Sequence, residues 1–225
     1  NVIIAQSKQV IEHEKEKSEG LLLNILPFAI AEELKLNGTS KPKLFDEVSV
    51  GFTDFSGFTM ISEKLTPEML VEKLDEIFYA FDLIIERHGL QRIKTIGDAY
   101  MFAAGVPEPL DDHAVRIVEA AIEMRDYIEQ YNRELHRNDP KWNIRIGVNT
   151  GPIVAGVIGI KKFAYDIWGD AVNLAARMES SGEVAKVNVS GSTYELIKGR
   201  FATEHRGKIA AKNKGEVDMY FVEHR

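Results

Sequence analysis

VSVGFTDFSGFT (residues 48–59) reads as a strand that hands a carboxylate to a turn. Val48, Val50 and Phe52 alternate with smaller or polar residues, and the run then gives way to Asp54 and a Gly-containing turn. QRIKTIGDAYMFAAG (residues 91–105) reads as two strands hinged at Gly97-Asp98, where a tight turn exposes a second carboxylate. Two carboxylates delivered to a sheet in this way can share a pair of metal ions. The bland alternative is that Asp54 and Asp98 only cap their turns.

Composition narrows the classes of function. A chain of 225 residues with 44% hydrophobic content can bury one sizeable core. The formal charge of −7 argues against a general nucleic-acid surface, because no excess of Lys and Arg is present to displace counterions along a phosphate backbone. Zero cysteines exclude disulfides and thiolate metal sites. The six histidines, His13, His88, His113, His136, His205 and His224, have no ligand spacing. Oxygen ligands are therefore expected for any metal, which suits Mg²⁺ or Mn²⁺. No apolar run approaches the roughly 20 residues needed to cross a bilayer, and LLLNILPFAIA is cut by Pro27.

Along the chain, Ile4, Ile11 and Ile25 follow a sevenfold spacing that Ser18 interrupts, the pattern of a weak coiled-coil seam or of a single solvated helix. We expect a signalling or stalk helix over residues 1–35, a linker over 36–44 and one catalytic domain over 45–225. The missing initial Met suggests a piece of a longer chain with an upstream regulatory part. Thr66-Pro67 starts a helix whose Leu70, Leu74, Ile77, Phe78 and Phe81 form a core face, and Gly89 stops it. A hairpin over 91–103, a long helix near 112–136, a strand in WNIRIGVNT, a short helix near 170–180 and strands in VAKVNVS and VDMYFVEH complete the pattern. This order predicts an α+β sandwich around a mostly antiparallel sheet.

Further residues carry chemistry. The turn Ser56-Gly57-Phe58-Thr59 can aim backbone N–H groups at phosphate oxygens, although a Gly turn after a strand is commonplace. Asn173 and Arg177, four apart, project from one helix face. There an Arg can stabilise phosphoryl charge and an Asn can hold a sugar, or Arg177 can simply pair with Glu179 or Asp170. Lys94 in an apolar strand is either solvated or, together with Asp166, a donor and acceptor for an adenine edge.

FTDFSGFT, IKTIGDAYM, IRIGVNTGPIVAGVIG and YDIWGDAVNLAARMES, in this order, resemble the catalytic domain of class III nucleotidyl cyclases over about residues 45–222. The resemblance implies a ferredoxin-like palm, βαββαβ, acting as a head-to-tail homodimer with two interface sites. It implies metal binding by Asp54, Asp98 and the main chain of Phe55, with Phe58 and Thr59 covering the triphosphate and Arg145 binding it. From the other subunit, Lys94 and Asp166 match an adenine-selecting pair, where guanylate cyclases usually carry Glu and Cys. Asn173 and Arg177 match the residues that orient ribose and stabilise the transition state. Lys212 matches a triphosphate-binding lysine, with Asn213 where Gly is commoner.

The implied activity is that of an adenylate cyclase in the cytoplasm, with ATP as substrate and two Mg²⁺ or Mn²⁺ ions as cofactors. A guanylate cyclase and a catalytically silent dimerisation module are the alternatives. No GGDEF or GGEEF sequence points to a diguanylate enzyme. Since neither half-site works alone, the N-terminal segment is expected to set how the subunits meet. Removal of residues 1–40 should lower dimer affinity and turnover together, as read by sedimentation and product formation.

Overall fold

The computed structural model describes residues 2–159, 163–211 and 215–225. It is an α+β fold with eight strands and seven helices among those residues. The chain divides into two compact units, Asn1–Lys43 with Ala155–Asp166, and Leu44–Val154 with Ile167–Arg225.

In the first unit, α1 (Val2–Leu23) and α2 (Phe28–Asn37) are separate helices, where one stalk helix was expected. Pro27 accounts for the break: its ring fixes φ at −56°, and it stands as the residue before α2. Ile25 thus lies beyond α1, and Ile11 is exposed, as are Leu21 and Leu23. Lys35 reaches back to Glu19 at 3.2 Å, linking the two helices. Glu33 accepts from Ser40 and pairs with Lys43, tying down the segment that follows.

The second unit holds the main core; of the strands that follow in chain order, Lys43 and the residues within Ala155–Asp166 belong to the first unit. β1 (Lys43–Ser56), α3 (Phe58–Lys64), α4 (Pro67–Arg87), β2 (Gln91–Ile96), β3 (Ala99–Ala104), α5 (His113–Glu134) and β4 (Asn143–Ile158) follow in order. Then come β5 (Ala164–Trp168), α6 (Asp170–Ser180), β6 (Val187–Ser190), α7 (Gly191–Ile197), β7 (Ala202–Ala211) and β8 (Gly215–Glu223). The sheet runs β2-β3-β1-β4-β6-β8-β7, with β5 paired to β4 off that path. Its first four members come from a βαββαβ run, with β3 and β1 lying between β2 and β4. β4 and β6 are parallel, while the β1–β3, β2–β3, β6–β8 and β7–β8 pairs are antiparallel.

α4 forms as its sequence dictates: the Thr66 side chain accepts from the Met69 N–H, and Pro67 occupies the first turn. Its face Ile77, Phe81, Ile84 and Ile85 joins α5 and the core side of the sheet. α3, α7 and β7 were not anticipated. The two helices have only seven residues each, too short for helical periodicity to register, and β7 carries four charged or His positions.

β1 departs from a half-buried strand. Val48, Val50 and Phe52 are buried, but so are Ser49 and Thr53. The strand is central and covered on both sides, so alternation did not mark a solvent face. Along β4 the alternation is functional. Ile144, Ile146 and Val148 enter the main core, while Gly147 and Asn149 meet α6. A Cβ on Gly147 would lie 1.9 Å from the Glu179 backbone nitrogen, so only glycine lets α6 lie this close to the strand. Two buried asparagines secure the contact: Asn149 Nδ2 donates to the Ala171 carbonyl at 2.9 Å and Asn188 Nδ2 to that of Met178 at 2.7 Å.

Gly147→Ala should destabilise the domain by about 3 kcal/mol or more, since a backbone clash cannot be relieved by a side-chain rotation. Denaturant unfolding measures it, and an effect below about 1 kcal/mol would contradict this packing.

Candidate active site

Asp54 lies near the end of β1, on the face opposite Phe55. The Phe55 ring is buried edge-on against Trp142 at 5.0 Å, which fixes the backbone beside Asp54. Its N–H donates to Asp98 Oδ2 at 3.2 Å. Asp98 sits in the two-residue turn between Ile96 and Ala99, where Gly97 takes φ 61°, a conformation that favours glycine. The hairpin is anchored from behind, because Tyr100 and Arg92 both bond to Asp82 on α4. The two aspartates expected to share a site are therefore brought together.

Arg145 on β4 completes the group. Its Nη2 donates to Asp54 Oδ2 at 2.9 Å, and its Nε lies 3.0 Å from Glu179 Oε1 without hydrogen-bond alignment. Glu179 is 8% exposed. Burial, followed by the Asp54 charge, pushes its carboxyl up to about 7 against the pull of Arg145. Asp98 is likewise raised, first by burial and then by Asp54. Three carboxylates around one guanidinium leave a net negative cluster when all are ionised.

Such a cluster fits a hard divalent cation held by oxygen. Among the described residues no three His, Cys, Asp or Glu side chains are grouped to hold a metal alone. Two carboxylates with phosphate and water oxygens are nevertheless a common way of binding Mg²⁺. Phe58 begins α3 and packs against Trp142 at 6.4 Å, while Thr59 beside it is exposed. Gly57, at φ 78°, turns the chain between β1 and α3.

Asn173 and Arg177 are both exposed on α6. The Arg177 guanidinium donates to the Ala210 carbonyl at 2.7 Å. Of the two carboxylates offered to it as surface partners, Glu179 turns to Arg145 instead. Lys94 is half-buried on β2 opposite Met101, next to a bulge, and Asp166 is half-buried on β5. Lys212 lies outside the described residues.

Glu179 is the site residue that sequence reasoning missed. The signal was present: it stands four residues after Ala175 and eight after Ala171, on the apolar face of α6 with Met178. A charge on that face needs a partner inside the fold.

A mixed α+β domain with paired aspartates, a partly buried arginine and an exposed Asn/Arg helix face has the make-up of a catalytic domain. The sequence matches the adenylate and guanylate cyclase catalytic domain over residues 40–224, and the chain belongs to that family. It is 40% identical over 227 residues to an adenylate cyclase of Mycobacterium tuberculosis, covering 97% of this chain and 49% of that protein. It is 38% identical over 223 residues to human atrial natriuretic peptide receptor 2, covering 98% of this chain and 21% of the receptor. The chain thus spans about half the length of the mycobacterial relative. The catalytic core of a rhodopsin-guanylyl cyclase with converted specificity, in complex with ATPαS, superposes with a TM-score of 0.77 at 36% identity, covering 83% of this chain and 100% of that one. The family, the α+β fold and its mostly antiparallel sheet were all expected from the motifs. Among the described residues, no helix is long and apolar enough to cross a membrane.

The raised Glu179 carboxyl has a thermodynamic consequence. The folded protein keeps a proton that an unfolded carboxyl releases above its ordinary value of 4.5, so this contribution to stability is present at low pH and is lost as pH rises to about 7. Asp98 adds a slope of the same sign. Glu179→Gln should flatten the fall in unfolding free energy between about pH 5 and pH 8, and an unchanged slope in urea titrations would refute the assignment.

Proposed function

We propose that this chain is an adenylate cyclase catalytic domain that converts ATP to 3′,5′-cyclic AMP and pyrophosphate at a homodimer interface. The observation that carries the reading is the convergence of Asp54, Asp98 and Arg145, with Asn173 and Arg177 exposed on a separate helix face. One chain thus offers two complementary surfaces, and a symmetric pair would complete two sites.

Asp54, Asp98 and the Phe55 carbonyl would hold two Mg²⁺ or Mn²⁺ ions. Such ions lower the pKa of a hydroxyl nucleophile and neutralise charge on phosphate. In the reaction the ribose O3′ bonds to the α-phosphorus, the bond to pyrophosphate breaks, and the hydroxyl proton is released to solvent. Arg145, with Lys212, holds the β- and γ-phosphates that depart, and Phe58 and Thr59 cover them. Asn173 of the other subunit orients the ribose. Arg177 meets the negative charge growing on the α-phosphate, a contact strongest in the transition state.

Lys94 and Asp166 favour ATP, because an amine-bearing donor and a carboxylate acceptor complement the edge of adenine. Guanylate cyclase activity is the second reading, favoured by the similarity to the natriuretic peptide receptor. We assign α1 and α2 to coupling an upstream regulatory domain to subunit apposition, with the catalytic domain working on cytoplasmic ATP.

Cyclic AMP and cyclic GMP formed from ATP and GTP, with Mg²⁺ or Mn²⁺, test this across a range of protein concentrations. Cyclic AMP should dominate and rise more than linearly with protein. Asp54→Asn should reduce turnover by about 10³-fold, the equivalent of several kcal/mol of charge stabilisation. Lys94→Glu with Asp166→Cys should shift the products toward cyclic GMP. Absence of either product from a protein that is demonstrably dimeric would favour the silent module.

A further inference from the structure

Asp54 and Arg145 occupy each other in the structure, bonded at 2.9 Å and both about three-quarters buried. Under the proposed function both are needed elsewhere, the carboxylate for cations and the guanidinium for the triphosphate. Nucleotide binding must therefore break this pair. Leaving Arg145 partly buried without a partner would cost a charged group its hydrogen bonds, and the pair would resist opening.

Glu179 removes that penalty by its position. Its Oε1 lies 3.0 Å from Nε, a different nitrogen of the guanidinium from the Nη2 that donates to Asp54. Nε and Oε1 are both buried, neither has an aligned hydrogen bond, and at 3.0 Å apart they need only a reorientation of the guanidinium to form one. The carboxylate is itself held. Asn188 bonds to the neighbouring Met178 carbonyl, and the Gly147 contact pins the Glu179 backbone to β4, two residues along from Arg145. We propose that Glu179 is a positioning residue for substrate binding, retaining Arg145 by Nε while its Nη groups pass from Asp54 to the triphosphate.

This inference rests on the cyclase reading, and the experiment separates the two. In the homodimeric wild-type chain, cyclic nucleotide production establishes the reading. Binding of 3′-deoxy-ATP, which has no attacking hydroxyl, is then measured by calorimetry with Mg²⁺ alongside KM and kcat for ATP. Glu179→Gln should raise both the 3′-deoxy-ATP Kd and the KM by about tenfold, with a smaller change in kcat, the size of one hydrogen bond to a charged group.

In an Arg145→Ala background the same substitution should change Kd by less than about twofold, because Glu179 acts through the guanidinium. Equal effects in the two backgrounds, or an unchanged Kd in Glu179→Gln, would overturn the proposal while leaving the cyclase reading intact. Arg145→Lys offers a second route that leaves Glu179 in place. A single ammonium has one nitrogen where the guanidinium offers separate Nε and Nη donors to two partners, so the Kd should rise as in Glu179→Gln. A wild-type Kd in Arg145→Lys would also overturn it.

Discussion

The contact of α6 with the backbone of β4 at Gly147 is the constraint from which the site follows. A helix normally stands off a strand by the thickness of its side chains; here the missing Cβ lets the backbone of Glu179 meet that of the strand. The consequence is geometric. Glu179, near the end of α6, is driven inside beside Arg145, while Asn173 and Arg177 are left on the outside. One helix thereby serves a buried electrostatic cluster and an exposed face at once. The asparagines at its two ends, Asn149 and Asn188, satisfy buried carbonyls that would otherwise be costly.

That cluster is balanced by charges that oppose one another. Arg145 lies between Asp54 and Glu179, and Asp98 is linked to the same corner through the Phe55 N–H. Burial raises Glu179 and Asp98, whereas Arg145 pulls Glu179 down. A site with more carboxylates than cationic partners is electrostatically suited to divalent ions and their phosphate ligands. The same excess explains why the guanidinium is drawn to carboxylates in this structure.

A second buried polar chain reinforces the frame without resembling a reactive centre. His113 at the start of α5 bonds to Ser49 on β1, which reaches Thr150 on β4 and through it Thr193 on α7. Ser190, Ser192 and Asn149 continue the set toward the first turn of α6. Burial lowers the His113 pKa, favouring a neutral ring that can pair with a hydroxyl. Fully paired polar networks of this kind specify one register of strand against helix, because any slip leaves buried groups unbonded.

The sequence by itself determined the local elements and the identities of the chemical groups. The Thr66-Pro67 cap, the periodicity of α4 and the Gly97-Asp98 hinge were legible because each is encoded within a few residues, and the ordered motifs around Asp54, Asp98 and Asn173 marked the family. Only the tertiary structure decided that β1 is buried on both faces and that Glu179 belongs to the Arg145 cluster and not to the surface beside Arg177. These outcomes depend on which face of a helix or strand another element covers. Side-chain spacing along one segment shows that a face exists, but the fold alone settles what lies against it, through contacts between residues far apart in the chain such as Arg145 with Asp54 and Gly147 with Glu179.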